Sequence, residues 1–167
     1  DSLPWARVCE RAVAVRDWKQ AVATLDKYPA SVAVLEGPAG RAAVSALDSS
    51  RPADPGDLPG TVEVRKRTPS TIVLDVELTR PALVVVADSY FPGWHATLGD
   101  SAQPILLADG AWKAVAVPAG SHVLRLSYRP TSFTWGAWLS ALATLGLLAS
   151  WVIPWWRAWN ASRKASS

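Results

Sequence analysis

The sequence predicts a mainly β protein: an antiparallel β-sandwich with a small N-terminal α/β lobe before it and one C-terminal transmembrane helix after it. Three observations lead to this fold class. At least five short apolar segments between residues 61 and 130 are separated by turns rich in Pro, Gly and Asp, which is typical of an antiparallel sandwich. Before them, two apolar segments flank an amphipathic one. After them comes a long uncharged segment bounded by tryptophans.

Composition divides the chain into five parts. Apolar residues make up 50% of the sequence, so the chain can bury a core and is not a disordered polymer. The segment 48–60 is dominated by Pro, Gly, Asp and Ser, which predicts a linker. The predicted parts are a small α/β lobe at 1–47, the linker at 48–60, the β-sandwich at 61–130, a transmembrane helix at 135–156 and a basic tail at 157–167.

The N-terminal lobe is predicted from a strand, a helix and a second strand in succession. The segments 11–16 and 31–36 are short and apolar, as strands are. Between them, Asp17 is suited to cap a helix over 18–27, in which Ala21 and Leu25 share one face. The pattern over 41–47 is ambiguous.

The sandwich is predicted from a change to period-two alternation. Between 71 and 78 every second side chain is apolar, so one face of that strand is expected to be buried. The segment 82–87 is apolar throughout, which indicates a central strand covered on both faces. Another strand is expected to start at Trp94. The remaining predicted strands are 61–68, 112–117 and 122–128.

The segment 135–153 predicts the membrane helix. No charged residue lies between Arg129 and Arg157. At about 1.5 Å per residue the segment spans roughly 28 Å, close to the hydrocarbon thickness of a bilayer. Tryptophans lie at both of its ends, as in the aromatic belts of membrane spans, and Pro154 is expected to end or kink it. The alternative is a buried helix of a soluble protein.

The charge distribution predicts orientation and excludes one class of partner. Residues 1–134 carry as many acidic as basic residues, and the net charge of +3 comes from Arg157, Arg163 and Lys164. A nucleic-acid binder carries its basic charge on the folded domain, so no nucleic-acid partner is expected. The positive-inside tendency places 157–167 in the cytoplasm and 1–134 outside the cell membrane.

The first seven residues do not look like an export signal. The segment 1–7 lacks the basic and apolar regions of a signal peptide. This favours the interpretation that the chain is the C-terminal piece of a longer membrane protein. A signal peptide that has been removed is the alternative.

The sequence shows no constellation of residues for catalysis or metal binding. His95 and His122 lie far apart and have no partners at metal-ligand spacing. Cys9 is a lone thiol, expected to be a small buried hydrophobic residue. There is no glycine-rich phosphate loop and no nucleophile motif. We therefore expect no catalytic residue, no metal and no cofactor in this chain.

Three aromatic residues are the candidate ligand-binding residues. In one interpretation, Tyr90, Trp94 and Trp112 form a platform for a sugar ring or a lipid headgroup. Pro92 and Gly93 lie between the first two and predict a turn in which glycine supplies a positive φ. The alternative, that Trp94 fills the sandwich core, is the stronger of the two interpretations.

Several short motifs between Tyr90 and Pro130 form one recognisable pattern. It begins as Tyr-x-Pro-Gly-Trp-x-Ala, continues with an Asp-Gly turn and a Val-Pro-Ala-Gly-x-His strand pair, and ends with Tyr-x-Pro. Its residues here are Tyr90, Pro92, Gly93, Trp94, Ala96, Asp109, Gly110, Pro118, Gly120, His122, Tyr128 and Pro130. This pattern resembles the C-terminal region of the bacterial YfhO-type multi-pass membrane proteins. The chain differs from it at Gly99-Asp100, where that family often has Asp-Gly.

The resemblance implies a polytopic protein related to the GT-C glycosyltransferases, which modify cell-envelope polymers with polyprenyl-phosphate sugars. In that superfamily the catalytic carboxylate lies in an early extracytoplasmic loop. The chain would then be a non-catalytic extracytoplasmic domain with the last membrane helix, and its motif residues outside the aromatic platform would be structural. The implied partners are the lipid bilayer, the other membrane helices of the parent protein, and a glycan or polyprenyl-linked sugar.

Two other functions are open at this stage. One is a single-pass, membrane-anchored module that binds glycan or lipid through Tyr90, Trp94 and Trp112. The other is a structural domain that braces a membrane complex.

Overall fold

Strands dominate the fold, as the apolar segments separated by turns predict. The computed structural model describes residues 4–49, 59–130, 135–136, 138–150 and 152. The chain divides into two units, Asp1–Arg129 and Pro130–Ser167. The described part of the first unit forms eleven strands and two helices.

Along the chain, α1 lies between β2 and β3, α2 follows β3, and the strands β4 to β11 come after α2. Their bounds are β1 Ala6–Cys9, β2 Arg11–Val15, α1 Trp18–Leu25, β3 Val32–Glu36, α2 Gly37–Ser49, β4 Gly60–Thr68, β5 Thr71–Leu78, β6 Ala82–Ser89, β7 Trp94–Leu98, β8 Ser101–Gln103, β9 Leu106–Ala108, β10 Trp112–Val117 and β11 Gly120–Tyr128.

The strands form two sheets, which confirms the mainly β class and is consistent with a sandwich. The first sheet has the order β1-β6-β10-β9-β3-β2, and the second has the order β4-β5-β11-β7-β8. Neighbouring strands are antiparallel except for β2 and β3, which are parallel because α1 connects them.

Apolar side chains pack on both faces of the first sheet. Val84 and Val86 of β6 belong to the cluster that also contains Leu74 and Leu124 of the second sheet. The alternate residues Leu83 and Val85 point the other way and join a second cluster, to which α2 contributes Leu47. Strand β6 is therefore covered on both faces, as its continuous apolar sequence predicts.

The predicted strand, helix and strand near the N-terminus are present as β2, α1 and β3. Asp17 caps α1, because its Oδ1 accepts a hydrogen bond of 2.9 Å from the backbone N–H of Gln20. The ambiguous segment 41–47 belongs to α2, which extends to Ser49. The helix and β4 thus include both ends of the predicted linker, and residues 50–58 lie outside the described part of the chain.

The expected separation of a 1–47 lobe from the sandwich is wrong. Strand β1, which the sequence analysis did not find, pairs with β6, and β3 pairs with β9, so both belong to the first sheet. Strand periodicity reports which side chains are buried along one segment. It carries no information about which distant strand supplies the hydrogen bonds.

The described residues of the second unit are helical at 135–136, 138–150 and 152. Their large apolar side chains are exposed, including Trp138, Leu142 and Leu147. Among the residues that the structure describes, no helix is both long enough and apolar enough to cross a membrane. The end of the predicted span at 153–156 and the basic tail lie outside the described residues.

Candidate functional site

A cleft of about 280 Å³ lies where β1, the loop after α1 and the turn between β9 and β10 meet. Its walls combine apolar, aromatic and charged side chains, which is the mixture usual in small-molecule sites. We call it the Arg7 cleft. The residues that matter for its chemistry are Arg7, Asp26, Tyr28, Ala30, Asp109 and Trp112.

A buried ion pair forms one side of the Arg7 cleft. Arg7 Nη2 donates to Asp109 Oδ2, and the two side chains are only 8% and 4% exposed. Arg7 Nε also donates to the carbonyl oxygen of Ala30 at 2.9 Å. Asp109 Oδ1 accepts a 2.9 Å hydrogen bond from the backbone N–H of Val34. Strands β1 and β3 and the turn at Asp109 are therefore held together by one carboxylate and one guanidinium.

Asp109 and Gly110 form the tight turn that aims this carboxylate into the protein. Their φ values are +51° and +83°, and the N–H of Ala111 donates to the carbonyl oxygen of Ala108 at 3.2 Å. Two consecutive positive φ values are the mark of a type I′ hairpin turn, for which Asp-Gly is a preferred sequence. The Asp-Gly motif thus has a structural role here, and its carboxylate also lines the cleft.

Trp112 places an aromatic ring beside the buried cation. The guanidinium carbon of Arg7 lies 5.1 Å from the centroid of the Trp112 ring, within cation–π range. Arg7 Nη1 is buried and has no hydrogen-bond partner among the described residues. A buried charged donor without an acceptor is costly, so the arrangement favours an oxygen-bearing ligand or a water at this position.

The structure does not bring Tyr90, Trp94 and Trp112 together as one platform. Trp94 packs against the cluster between the two sheets, whereas Trp112 packs against the cluster on the opposite face of the first sheet. Tyr90 follows β6, and its N–H donates to the carbonyl oxygen of Ala111 at 2.8 Å, but its side chain does not line the Arg7 cleft. Spacing in sequence could not show that β7 and β10 belong to different sheets.

Trp94 instead packs beside Tyr128 and Lys113. The Trp94 and Tyr128 ring centroids are 5.5 Å apart, and Lys113 Nζ lies 3.7 Å from the Trp94 centroid. Lys113 is fully buried, and its Nζ donates to Asp88 Oδ2 at 2.7 Å and to the carbonyl oxygen of Ser89 at 3.0 Å. Burial lowers the pKa of Lys113 below its usual range, although Asp88 opposes the shift. The interpretation of Trp94 as a core-packing residue fits this environment.

The Pro92-Gly93 motif connects β6 of the first sheet to β7 of the second sheet. Gly93 has a φ of +107°, the positive value that the turn was expected to need. Its carbonyl oxygen accepts a 2.7 Å hydrogen bond from the N–H of Arg129, and Tyr128 N–H donates to the carbonyl oxygen of Ser70 at 2.9 Å. Pro130 follows directly. These residues thereby fix the end of β11.

The Pro118 to His122 motif forms the turn between β10 and β11. Gly120 has a φ of +118°, and a Cβ there would lie 3.3 Å from His122 Nε2. His122 Nε2–H donates to the carbonyl oxygen of Ala119 at 3.1 Å. Both contacts are local, so the motif shapes the connection from β10 of the first sheet to β11 of the second.

Cys9 lies close to the Arg7 cleft but is buried. Burial raises the pKa of its thiol, although the Arg7 charge acts in the opposite direction. Within the described ranges there is no group of three or more His, Cys, Asp or Glu residues placed to hold a metal ion.

Sequence reasoning missed Arg7 and Tyr28 as residues of the site. Arg7 lies only two residues from the chain's first tryptophan, and nothing local marks it as buried. The one available signal was its place within the apolar segment 6–9, since a charged residue in a buried strand requires a partner.

Comparison of the chain with known protein families, with curated proteins and with solved structures found no match. The resemblance to the YfhO-type proteins therefore stays a prediction.

We predict that Asp109→Asn lowers the free energy of unfolding by about 3 kcal/mol, because it leaves the buried Arg7 guanidinium without its counter-charge. Asparagine keeps the shape of the side chain and tolerates a positive φ, so the turn itself is preserved. The matched control is Asp75→Asn, which breaks the exposed ion pair with Arg65 and should cost less than about 1 kcal/mol. Urea denaturation measures both changes, and equal losses would contradict the buried-pair account.

We predict a pH-dependent stabilisation by Glu36→Gln. Glu36 ends β3, where burial raises its pKa and the neighbouring Asp17 charge adds to the shift. Because the pKa is higher in the folded state than in the unfolded state, native stability falls as pH rises from about 4.5 through the folded value.

The glutamine variant should therefore melt about 1–3 °C above the native protein at pH 7 and lose this advantage near pH 4. Differential scanning calorimetry at both pH values provides the measurement. Glu77→Gln, at an exposed position of β5, is the control and should show no such difference. A pH-independent effect of the Glu36 variant would overturn the assignment.

Proposed function

We propose that residues 4–130 form a glycan-binding domain and that the Arg7 cleft holds one sugar ring. The observation that carries this proposal is the combination of Trp112 and Tyr28 with a buried arginine whose Nη1 has no partner among the described residues. A volume of about 280 Å³ lies near the lower end of the range for small-molecule sites, as a single ring requires.

The chemistry of the lining supports a sugar. A sugar ring presents C–H groups that pack on an aromatic face, and hydroxyl groups that both donate and accept hydrogen bonds. Tyr28 is 41% exposed and Trp112 is half-buried, so both rings are available at the cleft. Arg7 supplies a donor for a hydroxyl oxygen, and the Asp26 carboxylate supplies an acceptor for a hydroxyl proton.

We further propose that the segment 135–156 crosses the cell membrane, with residues 1–134 outside and 157–167 in the cytoplasm. The absence of charge between Arg129 and Arg157, the flanking tryptophans and the basic tail support this orientation. The exposed apolar side chains of the helical residues 138–150 are suited to contact with lipid.

In this arrangement the chain is an accessory domain of a membrane glycosyltransferase that acts on cell-envelope glycans with polyprenyl-phosphate sugars. The resemblance of the motif residues from Tyr90 to Pro130 to the YfhO-type proteins supports this assignment. The Arg7 cleft would then hold the acceptor glycan, while the reaction takes place elsewhere in the parent protein.

We expect the full chain, purified in a polyoxyethylene detergent that carries neither sugar nor phosphate, to bind oligosaccharides on a microarray of bacterial envelope glycans. Calorimetry with the best-bound oligosaccharide should show about tenfold weaker binding for Tyr28→Ala, since it removes a stacking surface. Trp112→Phe, which keeps an aromatic ring in place, should weaken binding less.

The control is Trp18→Ala, which removes an exposed ring of α1 that does not line the cleft. Its affinity should equal that of the native chain. Native affinity in both cleft variants, or no binding to any oligosaccharide, would refute the glycan site.

The membrane proposal makes a separate prediction about the native polypeptide. An antibody against residues 4–130 should detect, in carbonate-washed membranes, a protein several times larger than the 17.9 kDa of this chain. Release of the protein by carbonate would contradict the span. A carbonate-resistant band near 17.9 kDa would contradict the larger parent and favour the single-pass module.

A further inference from the structure

The outward face of the second sheet carries a second cleft, of about 440 Å³. It lies apart from the residues of the Arg7 cleft and has a different composition. The side chains that line it are His95, Thr97, Asp100, Arg125, Ser127 and Arg129. All six are polar or charged, and aromatic or aliphatic walls of the kind found in the Arg7 cleft are missing among its described lining residues.

The strand register explains why these side chains meet. On β11, Arg125 lies opposite Thr97 of β7, and Ser127 lies opposite His95. The alternate residues of β11, Leu124 and Leu126, are fully buried in the core between the sheets. Because side chains alternate along a strand, the four polar residues must share the outward face.

Arg129 extends this row beyond β11. Its backbone N–H donates to the carbonyl oxygen of Gly93, which holds it at the edge of β7. Arg125 and Arg129 are four residues apart on an extended chain, so their Cα atoms are separated by about 13 Å. Two arginine side chains at that spacing can converge on one small group that lies over Ser127.

Some basic residues of the domain have a counter-ion among the described residues, whereas Arg125 and Arg129 do not. Arg65, on the same sheet, pairs with Asp75 through a 2.7 Å hydrogen bond, and Arg7 and Lys113 are paired as described above. The side chains of Arg125 and Arg129 form no ion pair or hydrogen bond with any residue that the structure describes. Asp100 is the single carboxylate among the residues that line this cleft.

We infer that this cleft binds a phosphate group between Arg125 and Arg129. Arginine presents a planar set of donors that matches phosphate oxygens, and the hydroxyls of Thr97 and Ser127 add neutral donors beside them. The phosphate group comes either from a lipid headgroup or from free phosphate, and both present the same oxygens to the site. The site does not depend on the proposed glycan cleft, because the two share no residue.

The test uses the full chain in the same phosphate-free detergent, titrated by calorimetry with inorganic phosphate and with dihexanoyl phosphatidic acid below its micelle concentration. The double variant Arg125→Ala/Arg129→Ala should bind both probes about tenfold more weakly than the native chain, since each arginine supplies charge-assisted hydrogen bonds. Both side chains are exposed, so the melting temperature of this variant should stay close to that of the native chain.

The matched control is Lys19→Ala/Arg41→Ala, which removes two exposed positive charges from α1 and α2. Its affinity should stay within about twofold of the native value, since distant exposed charges are screened. Tighter binding of phosphatidic acid than of inorganic phosphate assigns the site to a lipid headgroup, and equal binding assigns it to free phosphate.

Three results would overturn the inference. They are no binding of either probe to the native chain, native affinity in the Arg125/Arg129 variant, and an equal loss in the control variant. The Tyr28→Ala variant distinguishes the two sites, because it should bind phosphate as the native chain does even if the glycan proposal fails.

Discussion

The ion pair between Arg7 and Asp109 is the interaction on which the arrangement of the first sheet depends. It joins residues 102 positions apart, and the same carboxylate also binds the backbone of β3. A charge removed from water requires an opposite charge beside it, because an unpaired buried charge is costly. This requirement fixes β1, β3 and the turn after β9 at one point, and it makes the N-terminal segment part of the main domain.

The two cores explain why the aromatic residues serve different purposes. The first sheet is covered on one face by the second sheet and on the other by α2, so successive residues of β10 enter different environments. Lys113 points into the space between the sheets, beside Trp94, whereas Trp112 points to the opposite face, beside Arg7. Neighbouring residues of β10 therefore contact different places: Lys113 contacts the core-packing Trp94, and Trp112 lines the Arg7 cleft.

The two proposed sites divide the polar chemistry of the domain between two surfaces. The Arg7 cleft combines aromatic rings with a neutralised ion pair, an environment suited to a neutral ligand rich in hydroxyl groups. On the outward face of the second sheet, Arg125 and Arg129 have no counter-ion among the described residues, an environment suited to an anion. If residues 135–156 cross the membrane, a domain with these two surfaces is equipped to meet both a glycan and a phosphate-bearing group.

The amino-acid sequence by itself determined several of the strands, one helix start and one of the turns. Period-two alternation located β5, the continuous apolar segment located β6, and Asp17 located the start of α1. Burial of a strand face and helix capping both depend on residues that are close in sequence, so a local pattern reveals them. The Pro-Gly pair likewise marked a turn in which glycine takes a positive φ. The tertiary structure alone decided that β1 and β3 join the first sheet. It also decided that Trp94 and Trp112 pack against different cores and that Arg7 forms an ion pair with Asp109. These outcomes depend on pairing between distant strands, and a local pattern cannot encode which of several compatible edges a strand will use.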